Sequence, residues 1–172
     1  MKAPTIETER LILSAHTLED FPDSAAMWAD EEVTRFIGGR PFGEDECWAR
    51  LHRYAGHWAL LGFGYWAVRE KATGRFVGEV GFMDAKRDID PPFNGAPEAG
   101  WAFKPAFQGK GYAREAVEAL MAWGDVKWPG ARTVCMIAPE NAPSIRVAER
   151  AGFREYARTS FRGAPTVLFE RG

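Results

Sequence analysis

The stretch Glu98-Ala-Gly-Trp-Ala-Phe-Lys-Pro-Ala-Phe-Gln108-Gly-Lys-Gly-Tyr-Ala-Arg-Glu-Ala116 decides the fold. Glu98 to Phe103 reads as a strand that Pro105 ends. Gly111 then opens the best helix of the chain, running to about Lys127, with Ala113, Ala116, Val117, Leu120, Met121 and Gly124 on one stripe. A strand therefore runs through a glycine-containing turn into a long amphipathic helix. The first-turn amides of such a helix lack intrahelical acceptors and carry the positive end of its dipole. Glycines let a phosphate come close to that backbone, so the turn is a potential anion cradle. Two nucleotide motifs fail on this stretch. A P-loop needs Ser or Thr after Gly-Lys and a glycine five positions earlier, but Gly111 and Lys104 stand there. The dinucleotide fingerprint needs a third glycine, and Gly109-Lys110-Gly111 is followed by Tyr112, Ala113 and Arg114.

Outward from this segment the pattern stays mixed. Arg10 to Ser14 is a short strand, and Thr17-Leu-Glu-Asp20 resembles a capping box with Asp in the Glu position. Helical character continues to about Phe36, interrupted near Pro22, and stops at Gly38-Gly39. Glu44 to Leu61 places Cys47, Trp48, Leu51, Tyr54, Ala55, Trp58 and Leu61 at helical spacing. Tyr65 to Glu70, the turn Lys71 to Gly74 and Arg75 to Met83 read as an antiparallel hairpin. Lys86 to Pro97 is loop. Thr133 to Ala138 is a buried strand, and Pro143 to Ala151 a short helix with Asn141 as its cap and Gly152 at its end. Strands near Glu155 to Arg158 and Thr166 to Glu170 finish the chain. The order predicts an α/β (α+β) domain around one sheet.

At 172 residues the length suits one domain spanning 1–172, and 46% hydrophobic with 27% charged residues is globular composition. Collagen, coiled coil and disorder are excluded. Lys plus Arg number 22 against 24 Asp plus Glu, which argues against a nucleic-acid binder. The longest uncharged run, Tyr54 to Val68, is shorter than the roughly 20 apolar residues a membrane helix needs. The first residues show no apolar signal core, and Cys47 and Cys135 fit reduced thiols, so a cytoplasmic location is expected. His16, His52 and His57 have no metal spacing, and no metal is expected.

Gln108, Gly111 and Ala113 spell Q-x-x-G-x-A, which resembles the pyrophosphate loop of the GNAT superfamily of acyl-CoA-dependent N-acetyltransferases. Asn141-Ala-Pro-Ser144-Ile-Arg-Val-Ala-Glu149-Arg-Ala-Gly152-Phe153 is similar to that family's second motif as written in the ribosomal-protein N-terminal acetyltransferase branch. Thr8-Glu-Arg-Leu-Ile-Leu13 and Phe76-Val-Gly-Glu-Val-Gly-Phe82 look like the same branch. The resemblance implies a GNAT fold: a mixed, mostly antiparallel sheet, splayed at the acetyl-CoA site, with helices on both faces. The splayed strand would be Gly100 to Phe103, offering the backbone of Trp101, Ala102 and Phe103 to the pantetheine arm. Gln108, Gly109, Lys110, Gly111, Tyr112 and Ala113 would hold the pyrophosphate, and Asn141 and Ser144 would lie beside the thioester.

The implied chemistry needs a base, because an ammonium with a pKa of about 8 at an N-terminus or 10.4 on lysine must lose a proton before attacking a thioester. Glu98 is the first candidate for that role and Glu79 the second. Many members of the family that the chain resembles use a tyrosine to protonate the thiolate; Ala148 stands at that position, leaving Ser144 as the substitute or the thiolate unassisted. The acceptor is a primary amine, on a protein N-terminus or on a small molecule such as an antibiotic or polyamine. The rival reading is a non-catalytic acyl-CoA-binding module. Either a monomer or a homodimer is compatible. Trp28, Phe36 and Trp58 serve as core or as substrate wall, and specificity should arise from the first two helices and the Lys86 to Pro97 loop.

Overall fold

A computed structural model describes residues 2–172. Eight strands form one sheet: β1 (Ile6–Glu7), β2 (Leu11–Ser14), β3 (Tyr65–Glu70), β4 (Phe76–Met83), β5 (Glu98–Phe103), β6 (Thr133–Ile137), β7 (Arg154–Phe161) and β8 (Ala164–Arg171). Their spatial order is β1-β2-β3-β4-β5-β6-β8-β7. Every neighbouring pair is antiparallel except β5 and β6, which are parallel. That parallel junction consists of one register pair, Glu98 opposite Val134.

Helices α1 (Phe21–Trp28), α2 (Glu31–Thr34) and α3 (Glu44–Leu61) precede the β3–β4 hairpin, α4 (Tyr112–Lys127) follows β5, and α5 (Ala142–Arg150) follows β6. One sheet face presents Leu11, Leu13, Trp66, Val68, Val80, Phe82, Ala99 and Phe103 to Ala116, Val117, Leu120 and Met121 of α4 and to Ala148 of α5. The opposite face packs Ala67, Phe76 and Ala102 against Met27, Trp28, Val33 and Cys47, and Tyr65 and Met83 against Tyr54. The side chains alternate along each strand, as the pleat requires. A bulge interrupts β4: Val68 pairs with Gly78 and Arg69 with Phe76, leaving Val77 without a partner. The extra residue resets the alternation, so Phe76 and Glu79 both face α1 and α3.

The local chemistry explains the boundaries. Three acids, Glu44, Asp45 and Glu46, occupy the first turn of α3, where the dipole favours negative charge. Glu46 also accepts from the Gly43 amide at 2.8 Å. The helical reading to Phe36 with an interruption near Pro22 is corrected: a 3-10 turn (Leu18–Asp20) leads into α1, which accommodates Pro22 in its first turn, and the break falls instead at Asp30. Asp30 is extended and its carboxylate accepts from the Glu32 amide at 2.8 Å, capping a separate helix. Asp20 accepts from the Thr17 amide at 2.7 Å, as its position predicts. The last two strands are longer than their patterning suggests. They join through Arg162 (φ 49) and Gly163 (φ 79), and consecutive positive φ values suit the right-handed twist of a tight hairpin.

Candidate active site

The turn before α4 is built to leave amides free. Gly109 (φ 75) and Gly111 (φ 79) are both left-handed, a conformation glycine adopts without a Cβ penalty. Among the described residues, no protein acceptor engages the backbone N–H groups of residues 109–114. A Cβ on Gly109 would meet nothing within 4 Å, and residues 108–111 are exposed, so the approach is open. Gln108, though exposed, donates through Nε2 to the Phe103 carbonyl at 3.1 Å, which ties the turn to the end of β5.

The N-terminal segment braces this turn. Arg10 donates through Nη1 to the Lys110 carbonyl at 2.8 Å and through Nε to Glu115 at 2.7 Å, and its guanidinium lies 4.8 Å over the Tyr112 ring. Thr8 Oγ1 donates to Glu115 at 2.6 Å, and the Arg10 amide does so at 2.7 Å. Burial opposes charge on Glu115, but these donors hold its carboxyl below the usual range. Tyr112 donates to Glu70 at 2.5 Å, anchoring the start of α4 to β3. The Arg10 brace is not readable from spacing, since it joins residues a hundred or more positions apart. We expect Gly111→Val to cost roughly 1–3 kcal/mol through backbone strain, because a Cβ there would also sit 3.3 Å from Arg10 Nη2. Urea denaturation measures that cost.

The splay begins immediately after Glu98. Val134 N donates to the Pro97 carbonyl at 3.0 Å, and β5 and β6 then part, so the edge of residues 100–103 that faces β6 has no strand partner. The side chains of Ala102 and Phe103 belong to the core and Trp101 is half-buried, which leaves backbone as what Ala102 and Phe103 present to that gap. At the far side of the gap Asn141 caps α5, its Oδ1 accepting from the Ser144 amide at 3.3 Å. The Ser144 hydroxyl makes no hydrogen bond within the described residues, and Ala148 is fully buried against the core.

Both candidate carboxylates face α3, on adjacent strands. Glu79, opposite Ala102, is completely buried and accepts from Ser24 Oγ at 2.6 Å, Tyr54 Oη at 2.9 Å and Trp28 Nε1 at 3.0 Å, with His16 Nε2 at 3.2 Å. Burial alone would raise its pKa; His16, Ser24 and Trp28 overcome that and hold it below the ordinary value. Its lone pairs are spent on binding α1 and α3 to the sheet. Glu98 is also buried, but it ends β5 at the rim of a cavity of about 330 Å³ whose walls include Met83, Asp84, Arg87 and Phe93. Arg87 grips it in a fork, Nε at 2.6 Å and Nη2 at 2.8 Å. No hydrogen bond links Glu98 to Ser144 or to residues 108–113 among the described residues.

Between the two acids a row of Tyr65, Gly81 and Gly100 crosses three strands. The Tyr65 phenol lies over both glycines: a Cβ on Gly81 would fall 2.6 Å from its ring and one on Gly100 2.0 Å from its hydroxyl. Tyr54 stacks on it, with ring centroids 4.7 Å apart and planes 3° from parallel. Burial, with Glu98 adding to it, pushes the Tyr65 hydroxyl well up, so it stays protonated as a donor. Trp28 and Trp58 are core residues whose indole N–H groups are used, Trp58 donating to the Tyr65 carbonyl at 2.9 Å, while Phe36 is half-buried. Among the described residues no cluster of His, Cys, Asp or Glu is arranged to hold a metal ion, and no helix is long and apolar enough to cross a membrane.

Free helix-start amides beside a splayed strand can seat a diphosphate with an extended arm, and known proteins share this architecture. The family model described as an acetyltransferase (GNAT) domain matches residues 10–154. An uncharacterized N-acetyltransferase, p20, of Bacillus licheniformis is 29% identical over 152 residues, covering 88% of this chain and 83% of that protein. A Bordetella pertussis structure assigned to the GNAT acetyltransferases is 37% identical, with a TM-score of 0.87 over 99% of this chain and 100% of its own. The fold also superimposes, at 17% identity and a TM-score of 0.79, on a ribosomal L7/L12 α-N-protein acetyltransferase in complex with coenzyme A, covering 98% and 97% of the two chains. With its domain matched over most of its length, the chain belongs to the GNAT family of N-acetyltransferases.

Proposed function

We propose that the chain transfers an acetyl group from acetyl-CoA directly to a primary amine. The observation that carries this reading is the run of unengaged amides at residues 109–114 beside the unpaired edge of β5. Those amides, with Gln108 positioning the turn, receive the pyrophosphate. The backbone of Trp101, Ala102 and Phe103 lines the pantetheine arm, and Asn141 and Ser144 close its far side. An N–H on the free edge of β5 stabilises the oxyanion as the amine attacks the thioester carbonyl. Glu98 accepts the amine proton through water from its place at the cavity rim; Glu79, enclosed by four donors, is a structural acid. Ser144, whose hydroxyl is unengaged, protonates the departing thiolate. No covalent enzyme intermediate is required.

A protein N-terminus is the acceptor that the ribosomal L7/L12 acetyltransferase fold neighbour favours, and a small amine is the alternative. The test is thiol release from acetyl-CoA across a panel of N-terminal peptides and small amines, run beside calorimetry with coenzyme A. Amine-dependent release supports transfer. Tight coenzyme A binding with no release across the panel would instead make the chain a binding module, and no binding at all would remove the proposal.

A further inference from the structure

Arg50 lies half-buried on the sheet-facing side of α3. Its guanidinium sits 4.0 Å over the Trp28 ring and 4.9 Å from the Phe42 ring, and its one hydrogen bond is a long one, 3.4 Å to the Tyr54 hydroxyl. Among the described residues it has no ion-pair partner, and neither does Arg53, one helical turn further on. The nearby acids are committed elsewhere. Glu46 gives its oxygens to Arg40 at 2.7 and 2.9 Å and to the Gly43 amide. Glu98 is held in the Arg87 fork, and Glu79 is saturated.

Among the described residues the Arg50 charge has no ion pair beside the Trp28 and Phe42 rings, which exclude water and make it costly, while Arg53, three residues on, is exposed and carries the same sign of charge. Both groups act electrostatically on the Tyr65 hydroxyl, which abuts Gly100 where β5 leaves β6. Between α3 and the sheet, Arg50 therefore stands without a direct ion pair, separated from Glu79 by the Tyr54 hydroxyl, on the side of the sheet where Tyr65 meets the proposed transfer point. A guanidinium fork matches a carboxylate in shape and charge.

We infer that the acceptor amine carries a carboxylate, which Arg50 and Arg53 receive while Tyr65 guides the amine toward Gly100. This rests on the transfer reading above and narrows its substrate class to acidic amines, whether a free amino acid or the acidic residue of a peptide. Matched acceptors that differ only in a carboxylate or its carboxamide test it: β-alanine against its amide, and tripeptides with Asp or Asn second. With the unmodified enzyme, kcat/KM should favour the carboxylate by about 10- to 100-fold, as a charged hydrogen bond allows. Arg50→Gln should bring the two members of each pair within about threefold, chiefly through KM, and Arg50→Lys should restore part of the preference. The pair that shows the larger ratio identifies the source of the carboxylate. Equal rates for both members overturn the inference and leave acetyl transfer standing, and so does a preference that survives Arg50→Gln combined with Arg53→Gln. If no amine is turned over, binding decides: calorimetry of the coenzyme A-loaded protein with N-acetyl-β-alanine and its amide must show tighter binding of the acid, and equal binding rejects Arg50 and Arg53 as a carboxylate site.

Discussion

Glu79→Leu should lower the free energy of unfolding by roughly 3–5 kcal/mol, since each buried donor left unmatched costs about 1–3 kcal/mol and the costs are not additive. The substitution orphans Ser24 Oγ, Trp28 Nε1 and Tyr54 Oη, and removes the partner of His16 Nε2. His16 Nδ1 already lacks a partner, so this corner cannot absorb further loss. Urea titration measures the change. The acid limb supplies a second readout whose sign is determined. The folded carboxyl has a pKa held below the ordinary value, about 4.3 for glutamate. Its stabilising contribution is therefore complete above that value and is lost as pH falls through the lower folded pKa. The leucine variant should lose this part of its pH dependence and unfold with a flatter acid profile. A variant as stable as the parent at neutral pH would show that the network contributes nothing net.

Glu98→Gln carries the largest expected effect on activity, a fall in kcat of about 10²- to 10⁴-fold, the range for removing a general base. The amide keeps the shape and one acceptor for Arg87, so acetyl-CoA affinity by calorimetry should stay within about twofold. Loss of affinity equal to the loss of rate would make Glu98 a binding residue. An unchanged kcat would pass the proton to another acceptor.

Local periodicity carried most of the fold. Glu44–Leu61, Tyr65–Glu70 and Glu98–Phe103 have the same bounds in the structure as their spacing predicts, because the helix buries one stripe and the two strands are apolar runs buried on both faces of the sheet. β1 escaped because two residues hold no period, and the break before α2 because Asp30 acts through a side-chain cap inside an otherwise helical pattern. The lengths of β7 and β8 were hidden by a half-exposed edge strand with few apolar positions. The cradle was legible since its glycines and its helix are contiguous. The Glu79 network was not, because it gathers positions 16, 24, 28, 54 and 79 from one loop and three separate elements, and no linear spacing encodes that meeting. Arg87 likewise reached Glu98 from a loop whose composition showed only that it was a loop.

The junction at Glu98 and Val134 has a mechanical meaning. Strands β1 to β5 make one slab and β6 to β8 another, and a single rung joins them, reinforced by α4 leaning on α5. Each slab is stiff within itself, but their relative tilt is guarded by little backbone bonding. A molecule seated in the opening would bridge the two slabs where backbone pairing is missing, so its binding should stiffen the junction beyond what the shared core supplies.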